Sequence, residues 1–543
     1  MRLSDWGGGG RGSGAGGRRC ARPLAPLLLL LAAGAFAVAA AASVPLSSSV
    51  LLFYDCEYEP HYGQPISQCD LLLQRAKEAG SNSVQLVPTH YWVDGASSKL
   101  SPGGCYPENW RMAQKVDYYC SHYEWDKPCE AFTKDSVARF AAGFKACLQK
   151  AHDSFEEVLI TPHLDDGTKT MHWRNFLRFD PLKPDAKGFS YWDVMLAPIV
   201  DGIKAVYKEP GRRVTLAAQG EMGATVFFHP AAHKALADRI RSAYKGPSKL
   251  DLALFFNGGM IAGVVNRGAD PVRKPDALSA RAAGAGGAGG GDALASVWGP
   301  LKPLGEWPDG GAVAAGAGAL RGLLDSMDVL GTSCYPRTSV PPQPSEFETC
   351  LQKVDEELSA VGFDLKTWVS KPGKRIELNE VGLGGGIDPC KGVPASSPAE
   401  AGSFGWAGTG YPWTPETDPW SRPDLKQYRR DWHAALLKLL AARGGRYPIS
   451  GAYLWSILSH DPQGIHPATS TDKGSFKDDA IAAAIKAHNA GGGAAGRRAG
   501  GRGARRRLGI HPATSTDKGS FKDDVIAAAI KAHNAGGGAA GRR

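Results

Sequence analysis

Two glutamates stand at the ends of strand-like runs: Glu221 in Ala217-Ala218-Gln219-Gly220-Glu221-Met222-Gly223, and Glu380 in Ile376-Glu377-Leu378-Asn379-Glu380-Val381. Two carboxyl groups about 5–5.5 Å apart suit retaining glycoside hydrolysis, in which one protonates the leaving oxygen while the other attacks the anomeric carbon. Alternation supports the placement. Thr215, Ala217, Gln219 and Glu221 share one strand face, as do Ile376, Leu378 and Glu380, which sends Glu377 toward the opposite, helix-facing side.

Other residues at run ends are candidates for binding a sugar. Tyr335 follows the sixth run and Trp455 lies in the eighth, where an indole stacks well on the C–H face of a pyranose. His163, Asp165 and Asp166 follow the third run. Asn257 ends the fifth, and Tyr54, Asp55 and Glu57 end the first. Gln219 is a further hydroxyl partner. Tyr91, Trp92 and Trp173, with Trp406, Tyr411, Trp413 and Trp420, are expected to line a cleft of several subsites. A lone His-x-Asp-Asp is too sparse for a metal centre, so neither metal nor organic cofactor is expected.

These residues need a frame. Eight short apolar runs at 50–55, 83–88, 157–162, 214–219, 250–256, 327–333, 375–380 and 451–457 alternate with helical stretches near 69–80, 131–151, 190–207, 231–244, 312–326, 346–361, 425–442 and 478–489. Helical spacing is clear in Phe140, Phe144, Cys147, Leu148 and Ala151. Such alternation predicts a parallel sheet covered by helices, and eight repeats predict an α/β fold, a (β/α)8 TIM barrel with long βα-loop insertions at 89–130, 257–311 and 381–424. Barrel chemistry sits where strands end. The two glutamates fall at strands four and seven.

In that placement the sequence resembles the clan A retaining (β/α)8 glycosidases, and among them most resembles the mannanase-like family 113. The strings AAQGEMG (217–223) and IELNEVGLGGG (376–386) carry the resemblance. It implies Glu221 as general acid/base, Glu380 as nucleophile and Tyr335 as the hydroxyl that orients Glu380. It also implies a secreted endo-acting hydrolase of a β-linked polysaccharide, β-1,4-mannan first. One position departs from most of the clan, which carries Asn before the acid/base where this chain has Gly220. A non-catalytic carbohydrate-binding barrel of an extracellular matrix and an exo-acting β-glycosidase are the alternatives.

The formal charge of +9 hints at nucleic acid, but its location argues otherwise. Residues 1–22 carry +4, 491–508 carry +6 and 509–543 carry +2, which leaves −3 for residues 23–490. Arg18, Arg19 and Arg22 precede an apolar run ending at Ala42, as in a secretory signal over 1–42; a signal anchor is the alternative. Once it is cleaved no membrane span is expected. Nine scattered cysteines follow without a C-x-x-C pair, which points to disulfides in an oxidising compartment. The barrel is assigned to 46–490, an Arg/Gly-rich linker to 491–508, and a near-copy of 464–498 to 509–543, outside the fold. The linker lacks aromatics that stack bases, so no nucleic-acid partner is expected; a monomer with a polysaccharide partner is.

Overall fold

The computed structural model describes residues 43–52, 67–95, 115–122, 128–168, 172–258, 310–388, 392–409, 413, 417–457 and 478–496. The expected leader (1–42), the linker from 497 onward and the duplicated segment lie outside these residues, as do Tyr54, Asp55, Glu57 and Tyr411.

Eight parallel strands close into a barrel. In chain order they are β1 (Leu46–Leu52), β2 (Ser83–Val93), β3 (Glu157–Ile160), β4 (Arg213–Gly220), β5 (Lys249–Asn257), β6 (Val329–Cys334), β7 (Arg375–Val381) and β8 (Ile449–Ile457). Each pairs with its sequence neighbour, and β1 pairs with both β2 (Ser48 opposite Val84) and β8 (Leu46 opposite Ala452), which closes the ring. Helices α1 (Gln68–Glu78), α2 (Lys134–Ser154), α3 (Ala197–Val206), α4 (Pro230–Ala243), α5 (Gly310–Ser326), α6 (Thr349–Ala360), α7 (Pro423–Ala441) and α8 (Asp479–Gly496) follow the strands in turn. This is the (β/α)8 barrel that the alternating pattern predicts. Among the described residues no helix is long and apolar enough to cross a membrane.

The main apolar core lies between barrel and helices, where Val214, Leu216 and Ala218 of β4 join Ile199, Ile203 and Leu236 from the helix layer. A smaller cluster of Leu159, Ala217, Ala253, Phe255, Val329 and Tyr453 fills the middle of the lumen. The rest of the lumen is polar. Ser47 bonds Ser83 at 2.5 Å, and Gln85 donates to Thr161 at 2.8 Å. These buried serines explain one difference from the expected boundaries. The first strand begins at Leu46 rather than 50, because a serine-rich run that reads as loop turns its hydroxyls onto strand-two partners inside the barrel.

A second difference concerns Glu377. Arg375 at the start of β7 donates to Thr215 of β4 and Asp251 of β5, each at 3.0 Å, and only the lumen connects those strands. Glu377 is 3.6 Å from Arg375 and packs beside Gly451 of β8, where a Cβ would lie 3.1 Å from its carboxyl carbon. Ile376 and Leu378 instead join the outer core. Glu377 therefore faces inward, contrary to the simple alternation. Glu380 also reaches the interior because the pairing of β7 with β6 shifts between Glu377 and Glu380, a bulge that resets the alternation.

Among the described residues three disulfides brace the frame: Cys69–Cys147 joins α1 to α2, Cys120–Cys129 staples the insertion after β2, and Cys334–Cys350 ties the end of β6 to α6. They fit an oxidising compartment.

Candidate active site

The C-terminal ends of β4 and β7 bring Glu221 and Glu380 into one buried, charged neighbourhood. Glu380 is 2% exposed. Tyr335 donates its hydroxyl to Oε2 at 2.9 Å, and Ser333 bonds the same carboxylate. Burial pushes the Glu380 carboxyl up to about 7, against the opposing pull of Arg174 and the Tyr335 and Ser333 bonds. Tyr335 is itself driven well above its ordinary range, first by burial and then by the charges of Glu380 and Glu221, so it stays a proton donor.

Glu221 is 5% exposed and sits one residue past β4 with φ of +56°. That left-handed backbone costs a non-glycine residue on the order of 1–3 kcal/mol and must be held by its surroundings. Gln219 is one clamp: its amide nitrogen donates to Phe255 O at 3.0 Å, and its oxygen accepts from Met222 N at 2.6 Å. Glu221 N also donates to Phe255 O at 3.1 Å. The carboxylate is aimed by three side chains. Asn257 donates to Oε1 at 2.7 Å, while Trp173 Nε1 and Arg174 Nη2 lie 3.3 and 3.2 Å from Oε2.

His163 lies between the two glutamates. Its Nε2 is 3.2 Å from Glu380 Oε1, out of line for a hydrogen bond, and its ring stacks on Trp455 with centroids 5.4 Å apart. Burial pushes the imidazole down to about 3, with Arg174 adding to the effect, so it is neutral. Trp455 is half-buried, and its peptide bond to Ser456 is cis.

Glu221, Glu380, Tyr335, His163, Asn257 and Trp455 are thus assembled together. Three other expected sugar contacts are not. Trp92 is fully buried in the core, since β2 runs past the barrel rim and is flanked by the short strands Tyr118–His122 and His163–Asp166. Trp413 is 5% exposed and donates its indole N–H to Gly384 O at 3.0 Å, pinning the loop after β7. Gln219 is fully buried with its amide on main-chain groups, so it shapes the Glu221 turn instead of meeting a sugar. Trp420 is likewise buried, with Arg429 4.8 Å above its ring. Tyr91, Trp173, Trp406 and Trp455 keep partly open faces.

Sequence reasoning missed Arg174. Burial works against its charge, yet Asp165, Glu221 and Glu380 hold the guanidinium above its ordinary range. It bridges Asp165 Oδ1 at 2.5 Å and Glu221. Its neighbour Asn175 accepts from Gly223 N at 2.9 Å, so Trp173-Arg174-Asn175 as a unit grips the turn that carries Glu221. A Trp-Arg-Asn triplet in the loop after strand three was the available signal. Asp166 is occupied by Thr168 and the main chain of His172, and among the described residues no cluster of His, Cys, Asp and Glu could hold a metal ion.

No protein-family model matches the sequence, and among curated proteins none matches it. Solved structures do. The GH113 β-mannanase AaManA from Alicyclobacillus acidocaldarius matches with 14% identity over 82% of this chain and 98% of its own, at a TM-score of 0.40. A glycoside hydrolase family 5 mannosidase from Rhizomucor miehei matches with 11% identity over 84% of this chain and 95% of its own, at a TM-score of 0.34. By the order and closure of its own strands, the chain is a (β/α)8 barrel.

Proposed function

We propose that this protein is a secreted retaining glycoside hydrolase that cleaves a β-linked polysaccharide, β-1,4-mannan first. The observation that carries the reading is the unequal furnishing of two buried carboxyls at the ends of β4 and β7. Glu380 is held by hydroxyl donors, Tyr335 and Ser333, which fix an oxygen for attack without neutralising it. Glu221 is aimed by Asn257, Trp173 and Arg174. The substrate class rests on the resemblance of the 217–223 and 376–386 strings.

In the first step Glu380 attacks the anomeric carbon, and the glycosidic bond breaks as Glu221 gives its proton to the leaving oxygen. A covalent glycosyl-enzyme results. Water then enters, Glu221 takes back a proton from it, and the new hydroxyl displaces Glu380 with overall retention. Arg174 is placed to shift between Glu221 and Asp165 as the charge on Glu221 changes.

The burial of Trp92, Trp413 and Trp420 favours the exo-acting alternative over a long cleft, because it removes three stacking platforms. Reducing-end release from β-mannan, glucan, xylan and galactan, with Glu380→Gln as control, tests the proposal. Cleavage of mannan with a β-configured first product is expected. Binding of these glycans by both proteins without cleavage would instead make this a carbohydrate-binding barrel, and monosaccharide as the first product would make it exo-acting.

A further inference from the structure

Gly220, the last residue of β4, has no room for a side chain. A Cβ there would lie 2.7 Å from Thr161 Cγ2, 2.8 Å from His163 Cδ2 and 3.0 Å from His163 Nε2. The glycine lets the imidazole press against the backbone that leads into Glu221. His163 is 1% exposed, and its Nε2 has no hydrogen-bond partner; Glu380 Oε1, 3.2 Å away, has none either. Buried polar atoms left without partners are destabilising. Two such atoms side by side, one of them on the proposed nucleophile, mark a place where a ligand group completes the bonding.

Atoms 3.2 Å apart can both be reached by one oxygen at about 2.8 Å from each. That oxygen must donate to a carboxylate and accept from an imidazole N–H, which a hydroxyl does and a carbonyl or ether does not. While one oxygen of Glu380 bonds the anomeric carbon, the other lies beside the hydroxyl on the adjacent ring carbon, whose hydrogen bonds strengthen in the transition state.

We propose that His163, admitted by Gly220, recognises the sugar hydroxyl next to the reacting carbon. Its Nε2–H donates to that hydroxyl, which in turn donates to Glu380 Oε1. The assignment rests on the glycosidase reading and adds a specificity-determining residue to it. The stack with Trp455, centroids 5.4 Å apart, holds the imidazole in place while a substrate enters.

Aryl β-glycosides with and without the 2-hydroxyl test it on wild type, His163→Ala and His163→Gln, with melting temperatures recorded for each. His163→Ala should lower kcat/KM on the hydroxylated substrate about 10²-fold, as for loss of one preorganised donor, and leave the 2-deoxy substrate within a few-fold. His163→Gln, which keeps a donor and needs no cavity to refill, should recover part of the preference. Equal loss on both substrates in both variants would overturn the proposal and make the imidazole a packing group. Wild type inactive on both substrates would overturn the glycosidase reading itself, and this assignment with it.

Discussion

Two glutamates on β7, Glu377 and Glu380, three residues apart, are both buried and both pushed by burial to a pKa of about 7. Their surroundings could hardly differ more. Glu377 lies at the lower end of the lumen among fixed ions: Arg375 at 3.6 Å, then Asp251, which is itself held by Arg375 at 3.0 Å, Lys249 at 2.8 Å and Arg213 at 3.5 Å. Glu380 lies at the upper end beside two hydroxyl donors, Tyr335 and Ser333, and the neutral His163, with the charge of Arg174 also acting on it. A perturbed pKa therefore does not by itself tell the proposed nucleophile from a buried carboxyl in an ionic lattice. What separates the two is whether the neighbours form a closed ionic lattice or a half-empty set of donors facing the loop end of the barrel.

The largest expected effect breaks the pair apart. Glu380→Gln should cut turnover by on the order of 10⁴ to 10⁶, as for loss of a nucleophile, with the fold intact by circular dichroism. Glu377→Gln should leave turnover within a few-fold. If Glu377→Gln instead abolished activity, the division of β7 into a structural and a chemical end would be wrong. Next in size is the lattice itself. Arg375→Met strips Asp251 and Glu377 of a shared partner and leaves buried charge uncompensated, at a cost of about 3–5 kcal/mol in urea unfolding. The same change should barely move KM, since Arg375 lies at the opposite end of β7 from Glu380.

The comparison also shows what the chain reveals before folding. Strand–helix alternation made the eight strands legible, and with them Glu221 and Glu380, because strand ends of a barrel are fixed by counting. Glu377 was misplaced because a bulge between 377 and 380 resets the period, and no residue type announces it. Trp92 and Trp413 depart from the sequence expectation for another reason. An aromatic in a loop looks exposed in sequence, yet here one is covered by neighbouring strands and the other is spent on a loop carbonyl. Arg174 belongs to no periodic element, and its importance appears only once the loop after β3 folds against the end of β4. The contact between Gly220 and His163 joins residues 57 apart in sequence and was equally hidden.

A smaller effect separates the two glutamates by pH. The folded-state pKa of Glu377 is raised from 4.5 to about 7, so the neutral form is favoured on folding. Its contribution is fully present below pH 4.5 and is lost as pH rises through 7, at about 1.4 kcal/mol per unit and about 3 kcal/mol in all. The buried histidines His90, His163, His233 and His433, each lowered to about 3, act with the opposite sign, losing stability as pH falls below 6.5. Unfolding free energies of wild type and Glu377→Gln measured from pH 4.5 to 8 cancel the histidines and Glu380. The variant should gain on wild type steadily up to pH 7; parallel curves would remove Glu377 from the account.

The smallest effect tests the other end of the strand. Tyr335 donates to Glu380 Oε2 at 2.9 Å, a bond that favours the ionised carboxylate and so lowers its pKa. A nucleophile must be ionised to attack, so kcat/KM should rise with pH through the pKa of about 7 and fall below it. Tyr335→Phe removes the donor. The acid limb should then move to higher pH, and the plateau should drop about tenfold, the worth of one hydrogen bond to a charged group. The lumen provides an internal control, because Tyr453, the aromatic hydroxyl near Glu377, bonds Ser83 instead of a glutamate. Tyr453→Phe should leave the acid limb where it is. A limb that stays fixed in Tyr335→Phe, or moves equally in both, would mean that the donors around Glu380 do not tune it, and the contrast between the two ends of β7 would rest on position alone.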